Sequence, residues 1–138
     1  MNDADSIRFY VHDADGNIVQ SGFCARGDFD KQSVPNATVR VGDGAFGVHY
    51  VRDGELHLIG DQPSPLHRFS AATGWTLDVV LVAAQRNRLL VASDWASLPD
   101  VPMTPEKRSE WAAYRQALRD ITDQPGYPLE VVWPVQPE

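Results

Sequence analysis

The sequence predicts an α+β protein: a small antiparallel, β-rich N-terminal part built from hairpins, followed by two C-terminal helices and an extended tail. Three observations carry this prediction. Asp-Gly turn signals stand between short runs of alternating apolar residues in the first half. Beyond Gly74 the apolar residues recur at the helical period instead. Prolines then cut the remainder into helix, stop, helix and tail. With 138 residues, 43% hydrophobic and 22% charged, the chain suits one modest core or a small β module with a helical appendage, and disorder along its whole length is excluded. We divide it into residues 1–74 and 75–138.

The first hairpin is placed by testing registers. A two-residue Asp15-Gly16 turn would mix Phe9 with Asp13 and Gln20 on one face. A three-residue loop, Ala14-Asp15-Gly16, with Gly16 in the left-handed region, pairs Asp13 with Asn17 and Val11 with Val19. Ile7, Phe9, Val11, Val19 and Phe23 then share a face with Ser21, opposite Arg8, Tyr10, His12 and Gln20. We prefer this register, because a one-residue slip scatters the apolar set. The Asp-x-Asp-Gly string fails as a calcium loop: its glycine comes fourth instead of sixth, and residue 24, where the bidentate Glu would stand, is Cys.

Cys24 is the only cysteine, so a disulfide within the chain is excluded. Its neighbours Phe23 and Ala25 supply no base, and a half-buried strand thiol is expected. Arg26 to Pro35 is polar and reads as a loop; its Arg-Gly-Asp string is short enough to recur by chance. Val39 to Val41 adds a strand before the turn Gly42-Asp43-Gly44.

A second hairpin centres on Asp53-Gly54. Its register pairs Arg52 with Glu55, Val51 with Leu56, Tyr50 with His57 and His49 with Leu58. The opposite charges beside the turn support it, although an exposed pair contributes only ~0.2–1 kcal/mol. His49 and His57 then point to opposite faces and cannot chelate a metal together. Gln62 to Pro65 punctuates the chain, and a loop is expected from there to Gly74.

In the C-terminal part, Leu77, Val80, Leu81, Ala84, Arg88 and Val91 fall on one helical stripe, with Thr76 as the candidate N-cap and an end near Ser93. The β-branched Val79, Val80 and Val82 leave residues 76–82 open between helix and strand. Asp94 is placed to cap a short turn through Trp95 and Leu98. Thr104 caps a second helix with Pro105 at its first position. Trp111, Tyr114, Leu118 and Ile121 form its apolar stripe, with Glu110, Arg115 and Arg119 outside it. Gln124-Pro125-Gly126 stops that helix, and Tyr127 to Trp133 continues extended.

Charge and motifs narrow the function. The net charge is −7 with no Lys/Arg cluster, so nucleic acid is a poor ligand. The opening segment lacks the features of a leader, and the longest apolar run, Val79 to Ala84, is too short to cross a bilayer; no membrane is implied and the cytoplasm is the expected location. The residues nominate no catalytic group, no cofactor and no metal ligand: there is no phosphate loop, no HExxH, no nucleophile elbow and no Cys-His cluster. The aromatic set Trp95, Trp111, Tyr114, Tyr127 and Trp133 is large for so small a module. Trp111 and Tyr114 are expected to pack on the first helix; Trp95 and Trp133 either close the ends of that core or, with Tyr127, leave part of the surface open as a partner-binding patch.

From Arg86 to Pro137 the chain reads RNRLL, SDW, LPD, WAAYRQALRDIT, QPGYP and VVWP in order. This composite resembles the C-terminal module of bacteriophage tail assembly chaperones, which accompany tail-fibre genes. FYVHDADGNIVQSGF and YVRDGEL resemble, more weakly, the strand-turn-strand openings of the same proteins. The resemblance implies a non-enzymatic protein of a phage or prophage that promotes folding, trimerisation or attachment of a tail fibre. Its partner would be a fibre or another tail protein, in the bacterial cytoplasm or on the virion tail, and a homo-oligomer is compatible with it. The alternative is a structural tail or baseplate adaptor retained in the virion. The family carries over no catalytic or ligand residue; the matching positions, Arg88, Leu89, Leu90, Asp94, Trp95, Trp111, Tyr114, Arg115, Arg119, Gly126, Pro128, Trp133 and Pro134, are expected to specify the fold.

Overall fold

A computed structural model describes residues 5–138; the first four residues of the opening segment lie outside the description. The chain forms an α+β structure of small antiparallel sheets followed by helices, divided into two compact units after Thr76.

In the first unit, β1 (Ser6–His12), β2 (Ile18–Ala25) and β3 (Thr38–Val41) form an antiparallel sheet in the order β2-β1-β3. The loop between β1 and β2 closes as the sequence predicts. The Asp13 N–H donates to the Asn17 carbonyl at 3.0 Å, that of Gly16 to the Asp13 carbonyl at 3.2 Å, and Gly16 has φ +93°. The ladder beyond it corrects the prediction. His12 faces Ile18, but Val11 faces Gln20 instead of Val19, because the register shifts there.

Such a bulge reverses the phase of everything after it. Phe23 lies opposite Arg8, 67% exposed, with the Arg8 guanidinium 5.0 Å from its ring centre. Tyr10, expected on the polar face, is instead core with Ile18 and Val51, with Leu56 packed against them. β1 buries both faces, since Phe9 and Val11 are also inaccessible. Arg26–Gln32, expected as a loop, is a 3-10 helix that packs on β1 and β2 and takes in the Arg-Gly-Asp string.

The second hairpin, β4 (His49–Arg52) with β5 (Glu55–Leu58), has the predicted register throughout. Asp53 and Gly54 both adopt positive φ, +53° and +80°, as a tight two-residue turn requires. A third hairpin, β6 (His67–Ser70) and β7 (Gly74–Leu77), occupies the stretch expected to be a loop. His-Arg-Phe-Ser has a single apolar residue and no alternation, so its pairing leaves no trace in the sequence pattern.

In the second unit α1 spans Val79–Ala92. Its N-cap is Asp78, not Thr76: the carboxylate accepts from the N–H groups of Val80 (2.9 Å) and Leu81 (3.3 Å). This settles residues 76–82, with β7 ending at Leu77 and helix starting at Val79. The buried face of α1 also differs from the predicted stripe. Val82 and Ser93 are buried, whereas Val80 and Val91 are each 71% exposed.

A short 3-10 helix, Asp94–Ser97, leads to α2 (Pro105–Arg119), which packs on both α1 and that turn. Thr104 caps α2 as predicted, its hydroxyl accepting from the Lys107 N–H at 3.2 Å. A 3-10 turn, Asp120–Asp123, ends the helical run, and residues from Glu130 onward have no regular secondary structure. Tyr127 to Trp133, expected to be extended, begins instead as a turn, with the N–H groups of Leu129 and Glu130 both donating to the Gly126 carbonyl.

Candidate functional site

The helical unit is organised by its aromatic residues. Trp111, Tyr114, Leu118 and Ile121 are buried, as their spacing on α2 predicts. Trp95, on the linking 3-10 helix, meets Trp111 edge-on at 5.1 Å between ring centres, and Trp111 meets Tyr114 at 5.7 Å. Edge-to-face pairs of this kind add ~0.5–1.5 kcal/mol each beyond area burial. Trp111 is thus a core anchor, while Trp95 remains 46% exposed on top of it, as does Leu98 at 51%.

Arg115 departs from the sequence expectation. It lies inside the packed face and is 9% exposed. Its Nη1 donates to the Leu90 carbonyl at 2.7 Å and to the Ser93 Oγ at 2.8 Å, and its Nη2 to Asp94 Oδ1 at 2.8 Å. Asp94 therefore binds Arg115 instead of capping: it is the first residue of the 3-10 helix, whose N-cap is Ser93. Ser93, for which the sequence nominates no partner base, is a structural link: its hydroxyl donates to the Leu89 carbonyl at 2.8 Å.

Of the three residues expected to bind a partner, only Trp95 joins the ring cluster; Tyr127 and Trp133 are half-buried and stand outside it. The tail is held by Gln124, whose carboxamide donates to the Val132 carbonyl at 2.7 Å and accepts from the Val132 N–H at 2.9 Å. That pair imitates one rung of a β-ladder. Around it Leu129 (78%), Val132 (68%) and Val135 (91%) are exposed. No sequence pattern announces the Gln124 clamp. For Arg115 the available signal was a Ser-Asp pair closing α1, with an arginine at the edge of the apolar stripe of α2.

In the β unit the turn Asp13-Ala14-Asp15-Gly16-Asn17 joins all three hairpins. The Asp13 carboxylate accepts from the Asn17 backbone and side chain and from the Asp15 N–H. The Asn17 Oδ1 accepts from the Ala71 N–H at 2.7 Å, and the Gly16 carbonyl from the Val51 N–H at 2.8 Å. Burial alone would raise the Asp13 carboxyl; the bonds from Asn17, Asp15 and Gly16 outweigh it and hold the group below its ordinary value. These carboxylate lone pairs serve the turn, in agreement with the rejection of a calcium loop. Cys24 is a half-buried free thiol in β2, as expected.

Among the described residues no group of three or more His, Cys, Asp or Glu is placed to hold a metal ion, and no helix is long and apolar enough to cross a membrane. The helical unit thus combines a buried aromatic core with an apolar, partly exposed surface. Residues 79–138, which include all of α1, α2 and the tail, match the family of phage tail assembly chaperone proteins. The match supports a role in phage tail assembly, with tail proteins as partners, and a chaperone's non-enzymatic character. No curated protein and no solved structure matches the chain.

Proposed function

We propose that the chain is a non-enzymatic chaperone that assists the folding, trimerisation or attachment of a phage tail fibre. The observation that carries this is the family match over a unit whose arginine-locked aromatic core presents Trp95 and an apolar tail outward. Immature fibre subunits expose apolar surface and unpaired strand edges, which aggregate or pair wrongly unless covered. Trp95, Tyr127 and Trp133 supply the contact, with Trp111 fixing Trp95 from beneath. The chaperone works in the host cytoplasm, before the fibre joins the particle.

Co-expression with neighbouring fibre genes tests the proposal. Soluble trimeric fibre should rise in the presence of the chaperone; unchanged yield and trimer content across several fibre partners would refute it. Mass spectrometry of purified particles distinguishes the role from that of a resident adaptor. Absence from virions agrees with a chaperone, and stoichiometric copies would make the chain a structural subunit instead.

A further inference from the structure

A cleft of about 540 Å³ opens within the β unit, where the three hairpins meet. Its aromatic wall is prearranged. Tyr50 and Phe69 lie 5.2 Å apart and Phe69 and Trp75 5.5 Å apart between ring centres, and the Trp75 indole N–H donates to the Ile59 carbonyl at 3.1 Å. At the mouth Phe46 is 67% exposed. The volume falls within the range of specific ligand sites, ~300–1,000 Å³.

The ionisable lining is one-sided, while Asn17, Gln62 and Ser70 add neutral polar groups. The His49 Nδ1 accepts from the Ala45 N–H at 3.3 Å, so a neutral ring carries its proton on Nε2 and is a donor there. His67 and Arg68 also line the cleft, and among the described residues no Asp or Glu does, although acidic residues outnumber basic ones by 19 to 12 in the chain. An aromatic trough with donors and without carboxylates suits a ligand of flat apolar rings and free carbonyls. An extended segment bearing prolines has that chemistry: its carbonyls are unpaired and its proline positions bring no N–H. Aromatic-lined grooves take such segments because little ordering entropy is lost.

The chain itself contains one. Trp133-Pro134-Val135-Gln136-Pro137 has two prolines three residues apart, which one turn of a polyproline helix places on the same edge. It has no regular secondary structure; Val135 and Gln136 are exposed, and Trp133, Pro134 and Pro137 are half-buried. We propose that the cleft of one copy receives the Trp133–Pro137 segment of a second copy. Reciprocal exchange would close a dimer, and one-way exchange would build a longer assembly. The proposal does not depend on the tail-fibre role.

Sedimentation velocity of the full chain at rising concentration tests it, with two surface variants: Phe46→Ser in the cleft and the double change Pro134→Ala, Pro137→Ala in the segment. The wild type should gain mass with concentration, and each variant should associate at least about tenfold more weakly, the cost of removing an interface anchor. Mixing the two variants should restore a heterodimer and nothing larger, because one intact cleft and one intact segment remain. An acetylated peptide of residues 130–138 should dissociate the wild-type assembly. A wild type that stays monomeric, variants that associate as the wild type does, a mixture that fails to pair, or a peptide without effect would each overturn the proposal.

Discussion

Arg115 and Asp94, separated by 21 positions in sequence, meet at 2.8 Å and tie α2 to the residues that follow α1. The same guanidinium adds a third donor to the Leu90 carbonyl, which also accepts from the Ser93 N–H and hydroxyl at the end of α1. A cation at that end also complements the helix dipole. The arginine side chain is 11% exposed and that of Asp94 62%, so the two partners are not equivalent.

Replacing Arg115 with Met should therefore cost ~1–3 kcal/mol, because the Leu90 carbonyl and the Ser93 hydroxyl lose a buried donor. Asp94→Asn should cost no more than ~1 kcal/mol, because the carboxylate itself is 62% exposed and the asparagine Oδ1 can still accept from Nη2. Arg115→Lys should rescue the Met variant only in part, since one ammonium cannot reproduce the fork that reaches Leu90, Ser93 and Asp94 together. Urea midpoints of the three variants check this order.

Gly16 and Gly54 both have positive φ, yet they should respond differently to Ala. A Cβ at Gly16 would sit 2.0 Å from the Val51 carbonyl oxygen, whereas one at Gly54 meets nothing within 4 Å. Gly54→Ala should cost ~1–2 kcal/mol of left-handed strain alone. Gly16→Ala must also push apart the first two hairpins, and a loss of more than ~3 kcal/mol is expected. Thermal melts of the two variants give the comparison.

Much of this was legible in the sequence, and the failures share a physical form. The Asp53-Gly54 register, the Thr104 cap and the α2 stripe from Trp111 to Ile121 each follow from local rules that tertiary contacts leave intact. The bulge at Val19, the hairpin at His67–Leu77 and the clamp at Gln124 depend on partners distant in sequence or on a departure from periodicity. Arg115 is placed outside the stripe by the sequence because a charge at a stripe boundary is normally solvated; the Leu90 carbonyl, Ser93 and Asp94, brought in at the end of α1, make its burial favourable. At the candidate site the identity of the aromatic residues could be read, but not which of them meet.

The depressed Asp13 carboxyl gives stability a definite pH dependence. A group with a lowered folded-state value stabilises fully above the unfolded value, here the ordinary 3.8, and that contribution disappears as pH falls through the lower folded value. Asp13→Asn should thus lower stability at neutral pH and leave a difference from the wild type that shrinks below the ordinary carboxylate range. Denaturant midpoints taken from neutral to acid pH measure it. A difference independent of pH would mean that the asparagine variant loses turn geometry and not carboxylate bonding.

Trp111 and Trp133 should separate folding from binding. Trp111 is 5% exposed and contacts both Trp95 and Tyr114 edge-on. Trp111→Ala should lower stability by ~3–5 kcal/mol, the usual cost of emptying a large aromatic site. It should also release Trp95, so some loss of partner binding will accompany it. Trp133 stands in the irregular tail, flanked by exposed Val132 and by Pro134. Trp133→Ala should leave most of the stability and remove proportionally more binding. Thermal melts and pull-down with a co-expressed fibre partner decide between the roles: a stable Trp111→Ala protein that no longer binds would move the docking surface onto the buried pair and reverse the assignment.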